Sequence, residues 1–190
     1  MSGQIPIPQP DTSDLTLLQA MAVGHAPALD ELYTRYGPPV FGYLMARLGE
    51  RQLAEEVLQD VMLAAWRSAA GFRGDSKVLT WLLTIAHNLA VNARRRRAFA
   101  LVPFDDALDS PSDDTGPLDR IVRQAEHLAV REMLSRLPDQ QREVLVLVFY
   151  HQLSEAEVAR VMGVAVGTVK SRLHRAKAAL RNMLESETRG

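Results

Sequence analysis

The chain contains no cysteine. That absence excludes disulfides, thiolate zinc sites, thiol nucleophiles and direct thiol redox sensing. No uninterrupted apolar run approaches the roughly 20 residues needed to cross a bilayer; the longest, Val144 to Tyr150, falls far short, so membrane insertion is not expected. Met1 to Pro10 lacks a basic segment followed by an apolar stretch, so it does not read as a secretory signal, and a cytoplasmic location is the expectation. Catalytic signatures are missing as well. The five histidines are dispersed, with no His-Glu-x-x-His and no nucleophile motif, so neither an enzyme nor a cofactor is expected. His87 reads as a surface or internally satisfied residue rather than a ligand. The stretch from Gly163 to Thr168 is no P-loop, because Gly167 is followed by Thr168-Val169 instead of Lys-Ser/Thr and no strand precedes it. Asp105-Asp106 and Asp113-Asp114 lack the glycine and terminal glutamate of an EF-hand.

The chain also lacks an excess of either charge. Across 190 residues, 22 Lys and Arg stand against 23 Asp and Glu, a formal net charge of −1. Evenly mixed, such neutrality would argue against nucleic acid, whose phosphates select for Lys and Arg. The charges are segregated instead. Arg94-Arg95-Arg96-Arg97 forms one cationic block, and Lys170, Arg172, Arg175, Lys177 and Arg181 form another with no acidic residue from Gly163 to Leu184. The stretch from Ala98 to Asp119 holds six aspartates, three prolines and no basic residue.

The apolar content of 47% suits a foldable chain, and its spacing is helical. Pro6, Pro8 and Pro10 mark residues 1–13 as a disordered tail. From 14 to 97 the pattern predicts four helices. The first carries Leu29, Leu32, Tyr33 and Tyr36 on one face and is interrupted by Gly37-Pro38-Pro39, after which a second runs through Phe41, Leu44, Met45 and Leu48. Leu53, Val57, Val61 and Ala65 mark a third, ending near Gly71, and Trp81, Ile85, Leu89 and Ala93 a fourth. Residues 98–120 read as a flexible acidic linker, too polar to offset their ordering entropy. Helical spacing resumes in 121–186 with Ile121, Ala125, Leu128, Val130, Leu134 and Leu137; Pro138 stops that helix and another follows to Tyr150. The expected fold is all-α: two small helical domains joined by the acidic linker.

The C-terminal domain carries a helix-turn-helix pattern. Ser154-Glu155-Ala156-Glu157 has the capping-box form, in which serine and glutamate side chains satisfy backbone N–H groups at a helix start. Gly163 permits the turn that ends this short helix. Beyond it, Val169, Leu173, Ala176 and Leu180 make the buried stripe of a second helix whose other faces show Thr168, Lys170, Ser171, Arg172, His174, Arg175 and Lys177. A basic second helix after a short turn is the element that enters the DNA major groove. A solvated amphipathic helix that binds nothing is the competing explanation.

Two segments carry a family likeness. Phe72-Arg73-Gly74-Asp75-Ser76, Thr80-Trp81-Leu82, Ile85-Ala86 and Asn88-Leu89-Ala90, followed by the arginine block, resemble the second conserved region of bacterial extracytoplasmic-function (group IV) sigma factors of the main sigma superfamily. Leu153-Ser154, Val158-Ala159, Met162-Gly163-Val164 and Val166 to Ala176 resemble their fourth region. The resemblance implies a dissociable subunit of core RNA polymerase that recognises promoter DNA and opens it without catalysing a reaction. It implies that the C-terminal helix reads the minus-thirty-five element through the residues named above. It implies that Arg73, Asp75, Asn88, Asn92, Arg94, Arg95 and Arg96 engage the minus-ten element and its unpaired strand, which calls for a cationic track and captured bases. Core packing, rather than base stacking, is the expectation for Trp81, given its stripe position; an internal salt bridge competes for Arg73 and Asp75. Glu55, Glu56, Gln59 and Asp60 match the segment that grips the polymerase clamp helices, although Met62 and Ala64 stand where the family commonly has Phe and a basic residue. The acidic linker matches the segment threaded toward the RNA exit path. An anti-sigma partner is implied in the same way.

A dimeric helix-turn-helix regulator of duplex DNA is the rival reading. It accounts for the C-terminal half but leaves the arginine-tipped N-terminal bundle without a role.

Overall fold

The computed structural model describes residues 12–100 and 132–188. The tail over residues 1–11, the acidic stretch from 101 onward and the apolar positions Ile121, Ala125, Leu128 and Val130 lie outside the described residues. Among the described residues there is no strand, and the fold is all-α.

The N-terminal half is a bundle of α1 (Thr12–Ala22), α2 (Pro27–Leu48), α3 (Arg51–Ser68) and α4 (Val78–Ala100), with a 3₁₀ turn at Ala69–Gly71. Pro27 opens α2 at a position where a missing N–H costs nothing, and Gly49 closes it in the left-handed conformation, donating to Met45 O. Leu32, Tyr36, Val40, Tyr43 and Leu44 of α2 meet Val57, Val61 and Ala65 of α3 and Leu79, Leu82, Leu83 and Ala86 of α4 in one apolar core. α1 is tied on by Asp14, a buried carboxylate that accepts from Tyr36 Oη at 2.5 Å and from Arg35 Nη1 at 2.7 Å.

Three expectations are corrected here. Gly37-Pro38-Pro39 does not break α2, which runs through both prolines. An interior proline costs about 3 kcal/mol or more. Full burial of a large side chain gives about 1.5–3 kcal/mol, and five such residues flank the prolines, so packing outweighs local preference. Tyr33 does not share the buried face; half of it is exposed while its ring lies along Gly37. In α4 the stripe Trp81, Ile85 and Leu89 is only half-buried, and the core face is the neighbouring one of Leu79, Leu82, Leu83, Ala86 and Ala90, with Ala93 on both.

The C-terminal half contains α5 (Asp139–Leu145), a π turn at Val146–Tyr150, α6 (Glu155–Met162) and α7 (Val166–Thr188). Pro138 stands at the N-cap of α5. The π turn is closed by the His151 N–H donating to Val146 O, and the chain then leaves through Gln152 at φ +52. This widened turn buries His151 and sends the Tyr150 ring out against α2, 3.3 Å from where a Cβ on Gly42 would lie. Gly42 is therefore a close-approach glycine.

The two halves pack on one another. α6 lies against α4, and α5 with the π turn lies against α2.

Candidate nucleic-acid interface

The helix-turn-helix forms as its sequence signals dictate. Ser154 Oγ accepts from the Glu157 N–H while Glu157 Oε2 accepts from the Ser154 N–H at 2.8 Å, a complete capping box. Burial pushes the Glu157 carboxyl up, but hydrogen bonds from the Ser154 backbone and hydroxyl and the Lys77 charge outweigh this and hold it below its usual range. Gly163 turns the chain at φ +64, donating back to Ala159 and Arg160 carbonyls. Val169, Leu173 and Ala176 of α7 are buried and Leu180 is half-buried, the stripe the spacing predicts. Among the described residues no helix is long and apolar enough to cross a membrane, and no group of His, Asp and Glu is placed to hold a metal.

With that stripe inward, Lys170, Ser171, His174, Arg175 and Lys177 are exposed, and Thr168 and Arg172 half-exposed, near the N-terminal end of α7. Lys170 sits 3.8 Å from Glu155, a loose surface pair of little energetic weight. The Lys177 ammonium lies 5.2 Å from the centroid of the Phe149 ring. The face remains cationic.

On α4, Asn88, Asn92, Arg94, Arg95 and Arg96 are exposed along the same helix. Arg94 pairs with Asp139 of α5, and Arg97 with Glu50. The loop before α4 carries Arg73 and Asp75, which are exposed and approach to 4.0 Å, a separation consistent with a weak surface pair. The Trp81 ring stacks at a tilt on Phe72, 5.1 Å between centroids, with Trp81 half-buried against the core.

Glu55, Glu56, Gln59 and Asp60 are all exposed on α3. Arg51 pairs with Glu55 at 2.8 Å, and Gln52 donates to Glu56. Met62 turns into the core instead of joining this face.

Sequence reasoning missed a cluster between the halves. The Glu143 carboxylate is 2% exposed; it accepts from Tyr43 Oη at 2.5 Å and lies 2.7 Å from His87 Nδ1 and 2.7 Å from Arg47 Nη1. Burial pushes Glu143 up, but the His87 hydrogen bond, the Arg47 charge and the Tyr43 hydrogen bond hold it below the usual carboxylate range. An ionised carboxylate only accepts, so His87 donates through Nδ1. The signal was a glutamate at the head of the most apolar run in the chain. His87 is a satisfied residue, and its partner belongs to the other half.

Comparison with known proteins places both halves. Residues 32–99 match the Sigma-70 region 2 family, and residues 127–180 match Sigma-70, region 4. The chain is 38% identical over 181 residues to the ECF RNA polymerase sigma factor SigM of Mycobacterium tuberculosis strain H37Rv, covering 92% of this chain and 86% of that one. It is 32% identical over 166 residues to the RNA polymerase sigma factor YlaC of Bacillus subtilis, covering 85% and 95%. Among solved structures, CnrH in complex with the cytosolic domain of CnrY is similar at a TM-score of 0.67 and 26% identity, covering 92% of this chain and 98% of that one. The sigma factor RpoE of Bartonella quintana, in complex with the anti-sigma factor NepR, shares the fold at a TM-score of 0.68 and 24% identity, with 82% and 96% covered. The region 2 match spans the half that a dimeric regulator leaves unexplained. The chain therefore belongs to the ECF RNA polymerase sigma factors, and is an alternative sigma factor that acts in transcription initiation without catalysing a reaction.

Proposed function

We propose a division of labour among the exposed faces. α7 reads the minus-thirty-five element in duplex DNA, with Thr168, Ser171 and Arg172 at base edges or phosphates and Lys170, His174, Arg175 and Lys177 on the backbone. Arg73 and Asp75 in the loop, with Asn88, Asn92, Arg94, Arg95 and Arg96 on α4, engage the minus-ten element and its separated strand. Glu55, Glu56, Gln59 and Asp60 on α3 face core RNA polymerase, where an acidic surface gives steering and register against a basic partner. The observation that carries this reading is the cationic face of α7, exposed on a capped and glycine-turned helix pair.

The chain falls in the group IV division of the sigma family and works in the cytoplasm, where its polymerase is. An anti-sigma protein holds it inactive, a partner that membership of the ECF sigma factors motivates. Run-off transcription with purified core polymerase over a promoter library tests the whole reading. Initiation that depends on both elements is expected; duplex binding by a dimer with no initiation at any promoter would overturn it.

A further inference from the structure

The loop assigned to the minus-ten element rests on α1, a helix that takes no part in the proposed DNA or polymerase contacts. Phe72 opens the loop with its ring 5.1 Å from that of Trp81, and Gly74 turns it at φ +77, in the left-handed region. Arg73 and Asp75 flank that turn with exposed side chains. The backbone between them is covered: Leu15 Cδ2 of α1 lies 3.7 Å from where a Cβ on Gly74 would stand, ordinary van der Waals contact. α1 also packs on the 3₁₀ turn at Ala69–Gly71 that leads into the loop. Arg160 of α6 donates to the Asp75 carbonyl at 2.8 Å, whereas Leu15 belongs to the same half as the loop it covers.

Leu15 is not on the face that buries α1. Asp14, Leu18 and Met21, at spacings of four and three, point inward and are each 2% exposed. Leu15 is 46% exposed and lies one residue from Asp14, about 100° of helix rotation. Whether it meets the loop therefore depends on how α1 is rotated about its axis. Apolar burial at Leu18 and Met21 fixes the depth of the helix but is non-directional. Asp14 supplies the direction: its two oxygens accept from Tyr36 Oη at 2.5 Å and from Arg35 Nη1 at 2.7 Å, both on α2. Charge-assisted hydrogen bonds to two fixed donors set geometry as well as energy. A loop held in advance meets its ordering cost on folding instead of on binding.

We infer that α1 is a positioning element for the minus-ten contact: Asp14, held by Tyr36 and Arg35, sets the rotation that seats Leu15 on Gly74, and Leu15 fixes the backbone between Arg73 and Asp75 in the form that receives DNA. The consequence for DNA rests on Arg73 and Asp75 being DNA contacts, whereas the seating of Leu15 on the loop does not.

Leu15→Ala in the full-length chain should speed amide hydrogen exchange over residues 72–77 about fivefold, leaving the interior of α3 unchanged. The variant should bind core polymerase as tightly as the unmutated chain. Its holoenzyme should discriminate about fivefold less between a fork-junction DNA whose minus-ten strand is unpaired and the same DNA with that strand scrambled, the size expected of coupling through packed side chains. The DNA is cut from a promoter that run-off transcription selects. A ratio of two affinities is blind to the fraction of chain that folds, so lost stability alone does not change it. Leu15→Met, which restores the contact, should restore both readouts, and Asp14→Asn should move both in the direction of Leu15→Ala. Unchanged exchange over 72–77 in Leu15→Ala would overturn the positioning role, as would unchanged discrimination, provided Arg73→Ala with Asp75→Ala loses it. If that double variant discriminates as well as the unmutated chain, it is the assignment of the loop to DNA that fails, and the minus-ten consequence with it.

Discussion

Tyr43 donates its hydroxyl proton to Glu143 at 2.5 Å, joining residues a hundred positions apart across the junction of the two halves. Burial first, then the neighbouring carboxylate, pushes the Tyr43 phenol well above its ordinary value, so it stays a donor. A carboxylate so buried persists only because every approach to it brings a donor or a cation. Removing one partner leaves an uncompensated charge, so single substitutions in this cluster should be sharply destabilising.

The pH dependence of stability follows from a second buried group. His151 packs edge-on to Tyr43 and Tyr150, and burial lowers its pKa from 6.5 to about 4. Between those values the unfolded chain binds more protons than the folded one. Stability is therefore whole above pH 6.5, falls as the pH drops, and levels off below about 4 after losing about 3 kcal/mol. Glu143, whose folded pKa is lowered, adds a loss that begins below its unfolded value of 4.5. Urea midpoints from pH 7.5 to 4.5 should show the decline, and His151→Phe should flatten it.

Arg172→Ala should reduce initiation at promoters with an intact minus-thirty-five element about tenfold, since a good base contact is worth about 1–3 kcal/mol. Core polymerase binding should not change. Equal use of matched and mismatched upstream elements by the unmutated protein would contradict a reading helix.

Arg95→Ala with Arg96→Ala should make holoenzyme binding to promoter DNA less salt-dependent. Two lost contacts to a single strand lower the slope of log affinity against log salt by about 1.4. An unchanged slope would remove these arginines from the DNA path.

Glu55→Lys with Asp60→Lys reverses two charges on the exposed face of α3 without touching its core residues. Core polymerase affinity, measured by titration of the labelled chain, should fall at least tenfold and by less at high salt.

Ser154→Ala removes the capping serine and should cost about 1 kcal/mol. Gly163→Ala places a side chain in the left-handed region at φ +64, for about 1–2 kcal/mol. Both are read by chemical denaturation, with the slope of the transition unchanged.

Local chemistry was legible where one segment settles its own structure. The capping box at Ser154, the turn at Gly163 and the stripe from Val169 to Ala176 follow from hydrogen bonds and spacings within a few residues. The corrections fall where distant packing overrode a local preference. Pro38 and Pro39 read as a break because the chain alone cannot show that Leu32, Tyr36, Val40, Tyr43 and Leu44 share one core. In α4, Trp81, Ile85 and Leu89 are spaced like a core face, but the adjacent row of smaller and leucine side chains fits closer to α2 and α3.

The near-neutral composition concealed a segregation of charge that the sequence by itself determined: cations on α4 and α7, carboxylates on α3. Helix type, caps and the cationic face of α7 follow from neighbours along the chain, whose interactions are set by covalent spacing. Only the tertiary structure decided that Glu143 enters the other half, that Arg94 answers to Asp139 and that Gly42 makes room for Tyr150. Those contacts depend on shape and desolvation between segments far apart in sequence, and no periodicity within either segment encodes which partner will arrive.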